Sequence, residues 1–180
     1  MKEQFIVFDL ETTGVDILVD EPLQVYLGAV KEGEIEEELL LYCSAFRPCS
    51  EGALNVHGLS PEVLKERGAV TPNFAAGRIN NFIWNHQPAA LLGHNCISFD
   101  YPMLWNFLAR YTGGRFKHPP VCQVYDTMHL FNAVKGGRKW MKLKLMAEAL
   151  GVEVPEGLHD ARVDGLLTWR SFCALRGGVQ

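Results

Sequence analysis

The sequence predicts an α/β fold, a mixed five-stranded sheet flanked by helices. Three observations lead there. Residues 5–8, Phe-Ile-Val-Phe, form an unbroken apolar run, as a central strand covered on both faces requires. Two further strand patterns follow, joined at Glu32-Gly33, a two-residue hairpin signal. The rest of the chain alternates short apolar runs with longer stretches of helical period.

Taken in order, the first strand covers Gln4 to Leu10. The second is "PLQVYLGAV", residues 22–30, and the third "EIEEELLLYCSAF", residues 34–46, whose acidic start belongs at an exposed end. Ser60-Pro61 and Thr71-Pro72 each pair an N-cap residue with a proline at the first helical position. The second opens a helix over 72–86, with Ala75, Ile79, Phe82 and Ile83 on one face. Residues 88–93 read as a short buried strand, and residues 99–111 as a helix with Leu104, Phe107, Leu108 and Tyr111 inward. "PVCQVYD", 120–126, is the fifth strand, and helices over 142–150 and 161–175 close the chain. With no repeat, low-complexity tract or linker in sight, one domain over residues 1–180 is expected.

Hydrophobic residues at 48% and charged residues at 21% match an ordinary globular chain. No apolar run reaches membrane-spanning length, and Glu3, Asp9 and Glu11 interrupt the N-terminus too early for a signal peptide. Five cysteines, odd in number and without CxxC spacing, read as reduced thiols of a cytoplasmic protein rather than a zinc site. A net charge of −4 argues against a general nucleic-acid binder. The charge is uneven, however: residues 31–38 hold five glutamates, and residues 135–144 hold five Lys or Arg around Trp140. Each run alone reads as a solvated segment, whereas the asymmetry can mark an oriented anion-binding face.

Chemistry concentrates in three places. Asp9 and Glu11 follow the first apolar run two residues apart, so both point to one face of the strand. Asp100 stands just past a buried strand, where a helix begins, and His159 and Asp164 bracket the start of the last helix. Five residues on an ideal helix separate faces, so His159 belongs on the preceding loop, free to turn toward Asp164. Singly these have plain readings: an exposed strand end, a helix cap, a complement to a helix N-terminus, a surface histidine. Jointly they put four carboxylates at strand ends and helix starts, where ligands collect in such sheets. Four converging acids need cations, and an all-oxygen set suits Mg²⁺ or Mn²⁺. Two such ions can clamp the attacking and leaving oxygens of a phosphodiester displacement, and a nearby histidine can take the proton of the attacking water.

"FDLETTG", "HNCISFD" and "HDARVD" together resemble the three motifs of the DEDDh, or DnaQ-like, 3′–5′ exonuclease family. "NVHGLSPEVL" is similar to the family's HGI/HGL segment, and "YDTMHL" to a structural strand-then-DT feature. The second motif has three residues between Asn95 and Phe99, a spacing closer to the three-prime repair exonucleases than to many bacterial members. The resemblance implies a ribonuclease-H-like fold and a metal-dependent 3′–5′ exonuclease releasing nucleoside 5′-monophosphates from a single-stranded 3′ end, DNA ahead of RNA. It implies metal binding by Asp9, Glu11, Asp100 and Asp164, with Asp9 shared between two ions, and His159 as general base. Thr12 and Thr13 would meet the terminal hydroxyl through their backbone. Val15, Val56, His57 and Phe99 would wedge and stack the last bases, and Asn95 would orient the terminal nucleotide. Core packing competes for Val56 and Phe99, and a turn cap for Asn95. The stretch 20–30 is longer than usual, so a bulge is expected near Pro22. Alternatives are an exoribonuclease, a proofreading subunit associated with a polymerase, and an inactive module that holds a 3′ end. No tethering extension is expected after Gln180, and the five catalytic positions are intact against the inactive reading.

Overall fold

The computed structural model describes residues 4–113, 123–136 and 140–177. Five strands, β1 (Phe5–Thr12), β2 (Pro22–Lys31), β3 (Glu34–Tyr42), β4 (Ala90–Gly93) and β5 (Val124–Asp126), form one sheet in the order β3-β2-β1-β4-β5. β1 lies in the centre, as its two-sided apolar pattern requires. It runs antiparallel to β2 and parallel to β4, so the sheet is mixed. β2 and β3 are joined by the expected hairpin, with Glu32 at φ 55° and Gly33 at φ 94°. Both values lie in the left-handed region that two-residue turns need to match strand twist. The expected bulge falls between Glu11 and Thr12, where Thr12 faces Pro22. Proline has no N–H to continue the ladder.

Seven helices, α1 (Glu51–His57), α2 (Pro61–Glu66), α3 (Pro72–Asn85), α4 (Asp100–Tyr111), α5 (Thr127–Lys135), α6 (Leu143–Ala149) and α7 (Ala161–Gly177), are described around the sheet. Alternation along β1 sorts the two layers. Ile6, Phe8 and Leu10 bury against Ala75, Ile79, Phe82 and Ile83 of α3 and Met103, Leu104, Phe107 and Leu108 of α4. Phe5 and Val7 face the other way, with Tyr26 of β2, against Ala161 and Phe172 of α7. At about 25 cal/mol per Å² of apolar surface removed from water, these two faces dominate the stabilising side of folding. This is the ribonuclease-H-like sheet that the resemblance implied.

Three elements depart from the sequence reading. β3 stops at Tyr42, and Cys43 forms only an isolated bridge to Val70. α1 buries no residue, so it has no apolar period to detect. Its ends are nevertheless written locally, because the Ser50 side chain accepts from the Ala53 N–H and Gly58 closes it at φ 69°. α5 begins where Asp126 accepts from the Met128 N–H, directly after a strand of three residues, so no loop separates the two. Residues 120–122 of the expected fifth strand, and Arg138 and Lys139 of the basic run, lie outside the described residues. Among the described residues no helix is long and apolar enough to cross a membrane.

Candidate active site

β4 pairs with β1 only as far as Leu92 opposite Val7, so the C-terminal half of β1 extends past its parallel neighbour. Asp9 and Glu11 sit on that overhang, on the same face as Phe5 and Val7, turned toward α7. Asp164 comes from the first turn of α7 and Asp100 is the first residue of α4. The four carboxylates predicted from sequence are thus brought together.

Their electrostatics show how unfavourable this is without a cation. Burial first, and then the neighbouring Asp164, Asp100 and Asp160, push the Glu11 carboxyl up to about 8. Asp9 keeps a window to solvent, yet it too is raised, first by desolvation and then by Asp100, Asp164, Glu11 and Asp160. Burial lifts Asp100 to about 7, although backbone hydrogen bonds from Asp100 itself and Leu10 oppose the rise. Asp164 is raised by burial and partly relieved by the His159 N–H and imidazole. One oxygen of Asp164, Oδ2, accepts from the His159 N–H at 3.2 Å; the other, Oδ1, is buried without a hydrogen-bond partner among the described residues. Ligand atoms of Glu11, His159 and Asp164 lie within 4.8 Å of one another. Orphaned and mutually repelling oxygens fit a divalent cation that prefers oxygen ligands, so Asp9, Glu11, Asp100 and Asp164 could hold metal.

Each acid has a local scaffold. The loop before Asp100 is organised by buried Asp126, whose Oδ1 accepts from the Asn95 N–H at 2.9 Å and whose Oδ2 accepts from the Ile97 N–H at 3.2 Å. The DT feature is therefore structural. Asn95 takes the left-handed conformation at φ 56°, and its Oδ1 accepts from the Ser98 hydroxyl at 2.9 Å, which closes the turn. Asp100 is not a helix cap: Phe99 holds that position and no side chain caps α4. His94 donates from Nε2 to the Met141 carbonyl at 2.7 Å, tying the segment before α6 to the end of β4.

The threonines are spent on their own loop. Thr12 Oγ1 donates to the Gly14 carbonyl at 2.7 Å, and Thr13 Oγ1 to Asp20 at 2.8 Å. A Cβ at Gly14 would stand 2.5 Å from Asp20 Oδ2, so any other residue there would have to displace that carboxylate. His57 accepts from the Leu59 N–H at Nδ1 (3.0 Å), which leaves Nε2 to donate to the Thr12 carbonyl (3.1 Å). Burial and then the nearby His159 hold His57 below its ordinary pKa, so it stays neutral. Val15 and Val56 are 86% and 53% exposed, which excludes core packing for both. Phe99 lies half-buried at the edge of the core.

His159 precedes α7 on the loop, exposed, with φ 68°. Sequence reading missed what holds it. Asp160 caps α7, its Oδ1 accepting from the Arg162 and Val163 N–H groups at 3.0 and 3.2 Å. Gln24 of β2 donates to Asp160 Oδ2 at 2.8 Å and accepts from the Ala161 N–H at 3.1 Å. The available signal was a single amide within the apolar strand "PLQVYLGAV".

Comparison with known proteins places this arrangement. A solved complex of zinc-bound Escherichia coli exonuclease I with single-stranded DNA superposes with a TM-score of 0.81 at 21% identity, covering 98% of this chain and 41% of that one. The DNA polymerase III subunit epsilon of Aquifex aeolicus is 28% identical over 93% of this chain and 78% of its own length. Mouse three prime repair exonuclease 2 is 26% identical over 90% and 79%. The chain also matches PolC-type DNA polymerase III of Halalkalibacterium halodurans at 25% identity, but spans only 11% of that protein. The exonuclease family model RNase_T matches residues 6–171, a span that contains all four clustered carboxylates and His159. The chain therefore belongs to that exonuclease family.

Proposed function

We propose that the protein is a metal-dependent 3′–5′ exonuclease that releases nucleoside 5′-monophosphates from the 3′ end of single-stranded DNA. The observation that carries this reading is the ring of raised carboxylates with a buried, unpartnered oxygen on Asp164. Such a ring is compatible with function at neutral pH only when cations replace its protons. Asp9, Glu11, Asp100 and Asp164 would hold two Mg²⁺ or Mn²⁺ ions, which would supply the positive charge that activates water and steadies the displaced oxygen. Asp9, set among all the other acids, would be the ligand common to both. His159, exposed beside Glu11 and Asp164, accepts the proton of the attacking water. Val15 and Val56 offer open apolar surface and Phe99 an aromatic edge for the last bases, a grip that tolerates any sequence. The Thr12–Thr13 backbone, fixed from behind by His57, receives the terminal hydroxyl, and Asn95 shapes the adjoining turn. The epsilon and PolC relatives favour a second reading, in which the same chemistry proofreads for a polymerase partner.

The test is purified protein with Mg²⁺ on 3′- and 5′-labelled single-stranded DNA and RNA. A 3′ label should leave at once as a mononucleotide, while a 5′ label should remain on a descending ladder. EDTA should abolish both, and Mg²⁺ or Mn²⁺ should restore them. Full activity in excess chelator, or internal cleavage, would overturn the reading; co-purification with a polymerase would favour the proofreading role.

A further inference from the structure

We infer that Gln24 is a positioning residue for this reaction: its side-chain amide holds the His159–Asp164 turn against the acids of β1. The inference rests on the nuclease reading above. Gln24 is 1% exposed and lies directly opposite Glu11 in the β1–β2 register. Residues paired this way share a face, so its amide points to the α7 side beside the Glu11 carboxyl. Both ends of the amide are engaged with the start of α7. Nε2 donates to Asp160 Oδ2 at 2.8 Å, and Oε1 accepts from the Ala161 N–H at 3.1 Å. On its other side Nε2 reaches the hydroxyl of Tyr42, its register partner on β3, at 3.2 Å. A two-point bond to both cap and first helical amide fixes distance and direction together, which a single contact cannot.

What this clamp holds is strained. His159 sits at φ 68°, a conformation that non-glycine residues keep only when their surroundings over-determine it. Its two fixings are its own N–H to Asp164 Oδ2 and the clamped residue that follows it. Released from Gln24, Asp160 would still cap α7 through Oδ1, so the helix would survive. The turn would lose its anchor on the sheet, and the imidazole would leave the carboxylates.

Two variants test this. Gln24→Leu removes both bonds at similar volume. Gln24→Glu combined with Asp160→Asn reverses donor and acceptor. The amide introduced at position 160 can donate to one oxygen of the carboxylate introduced at position 24, while the other oxygen accepts from the Ala161 N–H. Single-turnover rates on single-stranded DNA, KM, and Mn²⁺ broadening of the His159 ring proton in NMR would be compared, with His159→Ala giving the assignment. For Gln24→Leu the expected result is a 10- to 100-fold loss of kcat, KM within threefold of wild type, and weaker Mn²⁺ broadening of His159. The swapped pair should recover at least a third of the wild-type rate. A Gln24→Leu rate within twofold of wild type with unchanged broadening would overturn the clamp, as would no recovery in a folded swapped pair. The NMR arm separates this result from a failure of the nuclease reading, since it needs no turnover.

Discussion

At the residue scale, the acids and the histidine contribute through different physical terms, and substitutions should separate them. His159 is exposed on a loop, so His159→Ala should keep the fold and the thermal stabilisation by Mn²⁺. Its kcat should fall by roughly 10²–10⁴-fold, the usual cost of losing a general base. Asp9 is raised by four neighbouring acids as well as by burial. Asp9→Ala relieves that repulsion in the metal-free protein and removes the proposed shared ligand. It should melt at or above the wild-type temperature in EDTA and gain less from Mn²⁺, since a ligand stabilises in proportion to its binding. Thermal melts of both variants with and without Mn²⁺ check this. If His159→Ala loses the metal shift while Asp9→Ala keeps it, His159 is the ligand, as its closeness to Glu11 and Asp164 would then explain.

At the scale of elements, the site depends on how closely α7 lies on the sheet. The ring of Tyr26, opposite Asp9 on β2, fills the space under Gly165. A Cβ at Gly165 would stand 2.4 Å from that ring, and the ring is wholly buried. Gly165→Ala must therefore lift α7, and Asp164 with it. Overpacking of this kind costs about 1–3 kcal/mol, to be read from urea unfolding, and the rate should fall as well. Gly77 on α3 is the control, because nothing lies within 4 Å of its Cβ position. Gly77→Ala should instead stabilise by up to about 1 kcal/mol through helix propensity, with no change in rate. Equal effects of the two variants would remove the close-approach argument.

For the whole molecule, raised carboxylates make stability depend on pH and on metal together. Glu11 at about 8 and Asp100 at about 7 both titrate well above their ordinary values of 4.5 and 3.8. Between those limits the metal-free fold binds more protons than the unfolded chain, so these groups stabilise in acid and lose that contribution as pH rises to about 8. His57 and His94 are lowered by burial and act in the opposite sense, weakening the fold in acid. They cancel when melts with and without Mn²⁺ are compared at each pH. That difference should be small at pH 5 and grow steadily to pH 8.5, because metal must displace protons to bind. A difference that is flat or falls with pH would contradict the carboxylate site.

Much of this protein was legible in the chain itself. A two-sided apolar run fixes a central strand, Glu32-Gly33 fixes a hairpin, and the positions of Asp9, Glu11, Asp100, His159 and Asp164 at element boundaries point to one site. These are local signals, set by side-chain period, turn conformation and residue type over a few positions. Helix α1 escaped because a helix with no buried residue has no apolar period, and α5 because no loop separates it from β5. Gln24 and Asp160 lie 136 positions apart and Tyr26 and Gly165 share no motif, so only the packed fold could pair them. The sequence determined the candidate groups and the elements that carry them. The tertiary structure decided how they are held, because a buried amide or a missing Cβ acquires its meaning from the atoms that folding brings against it.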